Sequence, residues 1–335
     1  MTALDDGRIH HAALQPRDDD NMSDALHCPV IAADGVDHGD PFVLAFEGHF
    51  YLYHSGPEQV PVYESTDLLN WASAGIALSS AGAPEWAACE YWAPEVIHQD
   101  GIFYMYVAGT TRLPGGRGDD GARRIGVARS TNPVGPFVLD AQPLIDHWSI
   151  DAHPFCDDDG SWWLFYNVRT DETRYVDGTI GCGNAVDQLL LPDTLAGEET
   201  VILTPDERWE GNSTGTWYWN EGAWVVRRSG VLFQIYSGGF FEDKTYGLGL
   251  AVADHPRGPW TKDAANPLFV STESLIGPGH NSLVLGPDGV TTYIVFHART
   301  TGREGRAVFV ERFEWVGDRF RIGGAPTAET PTVAA

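Results

Sequence analysis

Lysine is almost missing from this chain of 335 residues: Lys244 and Lys262 are the only two. Lys and Arg together number 21 against 47 Asp and Glu, a formal net charge of −26. Nucleic acids and anionic membrane surfaces are held by clustered cations, so this balance argues against both as partners. An acidic, solvated surface is compatible with an uncharged ligand such as a sugar. No apolar run approaches the ~18 residues of a membrane-spanning helix, so such a helix is excluded. Cysteine is scarce too. Cys28, Cys89, Cys156 and Cys182 show no metal-ligand spacing and no disulfide framework. The first twenty residues hold no basic stretch followed by an apolar core, so no secretory leader is read there. Free thiols and a cytoplasmic location are the expectation. Nothing in the residues sets an oligomeric state.

What the chain has in quantity is glycine and aromatics: 38 Gly, with 12 Trp, 12 Tyr and 15 Phe. Short apolar runs separated by Gly and Pro favour many short strands over helices. One pattern recurs five times: "GHFYLYHS" from Gly48, "GIFYMYVA" from Gly101, "GSWWLFYN" from Gly160, "GVLFQIYS" from Gly230 and "GVTTYIVFH" from Gly289. The steps between these glycines are 53, 59, 70 and 59 residues. "VYESTDLLNWASAG", "IGVARSTNPVGPFV" and "LGLAVADHPRGPWT" then read as a third strand, a turn and a fourth strand. Four strands in each of five units predict an all-β fold, a five-bladed β-propeller. The predicted blades are 36–80, 88–142, 148–204, 216–270 and 277–322. Residues 1–35 are expected to pack on the propeller or help close it, and 323–335 to form a tail.

Counting back from each hairpin glycine finds the start of the strand nearest the propeller axis. Nine residues back are Trp92, Asp151, Glu221 and His280; eight back from Gly48 is Asp40. These five are predicted to converge at one end of the central channel. Three carboxyls in one concavity cannot all ionise at the same pH, so their pKa values are pushed apart. Hydrolysis of a glycosidic bond needs that separation, with one carboxyl protonating the leaving oxygen and one activating water. Trp92 would offer a stacking wall to a sugar, and His280 a polar anchor. The competing reading is a sugar-binding propeller without catalysis, which needs neither Asp40 nor Glu221 as an acid.

"HGDPFV" (38–43), "YWAPEV" (91–96), "SIDAHPF" (149–155), "NEGAWVVRRSG" (220–230) and "GPGHNSLV" (277–284) resemble the motifs of glycoside hydrolase family 43, in family order. The WxNDPNG type of motif of the related retaining, sucrose- and fructan-acting propellers is absent. The resemblance implies a five-bladed propeller and an inverting, exo-acting hydrolase of short oligosaccharides. The released sugar would be a terminal pentose, α-L-arabinofuranose first, with β-xylosidase or galactofuranosidase activity as alternatives. It implies Asp40 as general base, Glu221 as general acid, and Asp151 as the residue that tunes the acid. An ionised Asp151 is expected to raise Glu221.

Four further positions complete the expected site. Arg299, at the end of the hairpin that starts near His280, is read as a substrate-hydroxyl partner or a salt-bridge residue. Asn167 ends the hairpin begun at Asp151 and is expected to line the pocket. Phe42 shares a strand face with Asp40 and would floor the sugar site or join the core. Family resemblance also implies a small ion such as calcium in the channel, reached by His280 through water. One imidazole without clustered acidic oxygens makes a poor calcium cage. Any such ion is therefore expected to be structural, and no cofactor is required.

Overall fold

A computed structural model describes residues 28–323, so expectations for 1–27 and 324–335 lie outside the described residues. The hairpin glycines act as the repeat suggests. Glu47-Gly48, Asp100-Gly101 and Ser229-Gly230 each join two strands with a two-residue loop in which both residues have positive φ. That backbone twist matches the twist of the flanking strands, and glycine adopts it without a steric penalty. Hairpins added in sequence build five antiparallel sheets, spanning 42–79, 89–139, 149–203, 220–262 and 275–322. Four sheets have four strands. In the third, the outer edge is shared by two short strands, Thr194–Leu195 and Thr200–Leu203, both paired with Gly183–Leu191.

The inner strands are Phe42–Phe46, Cys89–Gln99, Ser149–Cys156, Asn220–Arg228 and Leu275–Leu285, and each touches the next around a closed ring. The molecule is a five-bladed propeller. Ile31 and Val308 pair as an antiparallel bridge, so the chain ahead of blade one lies along the third strand of blade five.

A blade cannot bury its faces alone, so the core lies between blades. Phe233, Ile235, Leu248 and Leu250 of blade four meet Ile294, Phe296 and Phe309 of blade five, all nearly fully buried. Each such side chain contributes ~1.5–3 kcal/mol when removed from water. Two blades carry an additional device. A short 3₁₀ turn before the inner strand lays Trp86 over Gly109 and Gly126 of blade two, and Trp209 over Gly238 and Gly249 of blade four. A methyl group on Gly126 would stand 2.1 Å from the Trp86 ring. Gly126→Ala is expected to cost about 1–3 kcal/mol through overpacking. A lower urea midpoint checks this; an unchanged midpoint would show that Trp86 can move aside.

Candidate active site

Every blade carries the same irregularity at the entrance to its inner strand. Two inner residues face one on the second strand: 93–94, 151–152, 222–223 and 280–281 in blades two to five. Blade one repeats it at 40–41, since Gly39 pairs with Ser55 while Phe42 pairs with Tyr53. The first bulge residue is left-handed in all five: Asp40 (φ 58°), Ala93 (44°), Asp151 (58°), Gly222 (56°) and His280 (51°). A side chain in this region costs on the order of 1–2 kcal/mol, so the surroundings must hold it.

The holding interaction repeats from blade to blade. Ser55 Oγ of blade one accepts the Ala93 N–H of blade two at 2.8 Å, and Asn167 Oδ1 of blade three the Gly222 N–H of blade four at 3.3 Å. Ser237 Oγ of blade four accepts the His280 N–H at 2.8 Å, and His297 Nδ1 of blade five the Asp40 N–H at 3.0 Å. In blade two the matching position, opposite the residue ahead of the bulge, is Ala108, which has no side-chain acceptor. The structurally equivalent ring is thus Asp40, Ala93, Asp151, Gly222 and His280. Trp92 and Glu221 stand one residue ahead of it, because the ring lies eight residues before the hairpin glycine in blades one, two and four and nine before it in blades three and five. The difference follows the turns, which have two residues in the first three of these blades and span 157–161 and 286–291 in the other two.

Four predicted residues do meet. Donor atoms of Asp151, Glu221 and His280 lie within 4.8 Å of one another, and His280 Nδ1 is 3.4 Å from Asp40 Oδ1. The Asp40 carboxylate receives Ser55 Oγ at 2.6 Å and Arg306 Nη1 at 3.0 Å. Arg306 also forks onto Asp37, and Gly39 leaves it room: a Cβ there would stand 2.0 Å from the guanidinium carbon. Burial pushes Asp40 up, but the Arg306 cation and then His280 outweigh it and hold the carboxyl well below its usual range. Asp40 is held in its ionised form.

Glu221 goes the other way. Burial raises it to about 7, with the Asp40 charge adding to the rise, while hydrogen bonds from Tyr246 Oη at 2.5 Å and from Trp219 Nε1 oppose it. Tyr246 reaches the acid because Gly279 has no side chain; a Cβ there would be 2.3 Å from the tyrosine ring. Asp151 departs from its expected role. Burial, then Glu221, push it well above the ordinary carboxyl value, a bias toward the protonated form that runs against the ionised state expected of it. Its Oδ2 is buried without a hydrogen-bond partner among the described residues.

Other sequence-predicted residues are placed elsewhere. Asn167 is fully buried; its Nδ2 donates to Asn220 O at 2.7 Å while its Oδ1 takes Gly222 N–H, bracketing Glu221. It is a positioning residue. Arg299 pairs with Ile276, and its Nη1 donates to Phe241 O at 2.5 Å, so the residue beside His280 is His297 instead. Two bulges in Leu275–Leu285 cause that offset. Phe42 is buried near Tyr53 and Trp224 and lines the channel with Glu95 and His153. Trp92 is half-buried, with the Arg123 guanidinium 3.2 Å from its ring centre.

His297, Ser55, Ser237, Tyr246 and Arg306 were not read from sequence. Only the first three occupy a repeat position, opposite the residue ahead of the bulge, that could have revealed them. Beside His280, Asp151 and Glu221 each offer one carboxyl oxygen, all within 4.8 Å of one another, fewer than the six to eight oxygens calcium takes, so an ion there would be held mainly through water.

A propeller with one carboxylate held ionised beside another held protonated defines a glycoside hydrolase type of site. The description "Glycosyl hydrolases family 43" matches residues 28–320, and the chain belongs to that family. It is 28% identical over 302 residues to the beta-D-galactofuranosidase xynD of Aspergillus niger, covering 82% of this chain and 78% of that protein. It is 26% identical over 319 residues to an extracellular exo-alpha-(1->5)-L-arabinofuranosidase of Streptomyces avermitilis, spanning 88% of this chain and 63% of that one. Among solved structures, a thermostable family-43 glycoside hydrolase superposes with a TM-score of 0.75 at 31% identity, covering 88% of this chain and 95% of that one.

Two substitutions test the electrostatics. A donor to the charged form lowers a pKa, so Tyr246→Phe is expected to raise Glu221 and move the alkaline limb of the pH–rate profile upward. Arg306→Met removes the cation that stabilises ionised Asp40, so the acidic limb is expected to move upward as well. Profiles of kcat/KM report both; a limb that moves down refutes the matching assignment.

Proposed function

We propose that this chain is an inverting, exo-acting glycosidase that removes a terminal furanose, α-L-arabinofuranose first, from short oligosaccharides. The observation that carries the reading is the opposite bias of Asp40 and Glu221, one ionised and one protonated near neutral pH. In the reaction, Asp40 takes a proton from a water as its oxygen attacks the anomeric carbon. Glu221 gives its proton to the leaving oxygen as the glycosidic C–O bond breaks. The electron pair of that bond leaves with the oxygen, and the anomeric configuration inverts. Asp151, biased toward its protonated form and with its Oδ2 unpartnered, can donate to a sugar hydroxyl. Trp92 offers its indole to the sugar ring.

The preference for a furanose is supported by the activities of the two relatives, arabinofuranosidase and galactofuranosidase. Galactofuranose is therefore the second reading, ahead of xylose. A panel of aryl α-L-arabinofuranosides, β-D-galactofuranosides and β-D-xylosides decides between them, and hydrolysis of none would leave a sugar-binding propeller. On the best substrate, Asp40→Asn and Glu221→Gln are each expected to lower kcat by on the order of 10²–10⁴. A very good leaving group should partly restore Glu221→Gln and leave Asp40→Asn unrestored. Proton NMR of the first product should show the inverted anomer; retention would refute the assignment of Asp40 as a base acting on water.

A further inference from the structure

The general acid marks the side of the site on which the leaving group departs, and here that side is built of aromatics. Trp219 Nε1 donates to Glu221 Oε2, so the indole lies against the acid. From Trp219 the rings continue outward: Trp217 at 5.3 Å between centroids, Trp148 at 6.4 Å, and Phe240 at 6.0 Å from Trp217. The Arg169 guanidinium lies over Trp148 at 4.1 Å and Trp219 at 4.6 Å, tethered to Asp120 at 3.2 Å. Trp217 is 45% exposed, unusual for so large an apolar side chain.

The local fold accounts for its exposure. Residues 211–218 form a hairpin, with Gly211 paired to Tyr218 and Asn212 N donating to Trp217 O at 2.9 Å. Successive side chains of an extended segment point to opposite faces. Tyr218 accordingly turns away from the mouth and stacks on Tyr175 at 3.5 Å, buried, while Trp217 and Trp219 share the face toward Glu221. The buried tyrosine fixes the hairpin, and the fixed hairpin holds Trp217 out in water.

We propose that Trp217, backed by Trp219 and Arg169, is the stacking platform for the leaving-group sugar, and that it sets a preference for oligosaccharides over glycosides with small leaving groups. The proposal rests on the glycosidase reading above. The C–H face of a neutral sugar ring suits an indole face, and the platform begins at the residue that touches the proton donor. Trp217 would act on specificity and not on proton transfer.

The test compares Trp217→Ala with the wild type on two substrates sharing the same released sugar: the trisaccharide, and the glycosyl fluoride, whose one-atom leaving group cannot reach the platform. Trp217→Ala is expected to lose roughly tenfold in kcat/KM on the trisaccharide, mainly through KM, and less than about twofold on the fluoride. Trp217→Phe should recover most of the loss. Equal loss on both substrates, or no loss on the trisaccharide, overturns the platform. A wild-type protein that cleaves neither substrate overturns the glycosidase reading itself, a different result from a wild type active on both and indifferent to Trp217.

Discussion

The site depends on a chain of hydrogen bonds that runs from blade to blade at the level of the bulges. Ser55, Asn167, Ser237 and His297 each accept a backbone N–H from the next blade, and His297 does so across the junction of blade five with blade one. These bonds lock the left-handed residues whose side chains enter the channel. A buried N–H left without a partner costs about 1–3 kcal/mol, so each bond fixes a bulge and joins two blades at the same time. The placement of Asp40 relative to Glu221 follows from these inter-blade bonds and not from any single blade.

Charge is distributed on that frame with few resources. In a chain of net charge −26, one guanidinium, Arg306, sits on Asp40 and leaves Glu221 in a less compensated setting. Two carboxyls in one cavity thereby acquire opposite protonation. His297 supports this by staying neutral: burial and then Arg306 push it down to about 4, and its Nδ1 is the acceptor for Asp40 N–H. A protonated His297 could not accept that bond.

Beside its use in turns, glycine makes space at several packed positions. Gly39 admits Arg306, Gly279 admits Tyr246, and Gly126 and Gly249 admit Trp86 and Trp209. The first two act on the site directly, because the admitted side chain touches one of the two carboxyls. Motifs such as "HGD" and "GPGH" thus encode access as well as chemistry.

Strand repetition is a local property, so the five hairpins, the blade limits and the convergence of Asp40, Asp151, Glu221 and His280 were legible in the residues alone. Period-two apolar patterns and turn glycines carry that information along the chain. The bulges were not legible, because an inserted residue leaves the apolar pattern readable while shifting what faces what. Asn167 and Arg299 were misplaced for this reason, and His297 was passed over. The charge state of Asp151 was also out of reach, since it follows from burial and from Glu221, a neighbour 70 positions away. Arg306 lies 266 residues from Asp40 and obeys no repeat spacing. Sequence by itself determined which residues could meet; the tertiary structure decided which of them hold a proton, because desolvation and long-range charge exist only once the blades have closed.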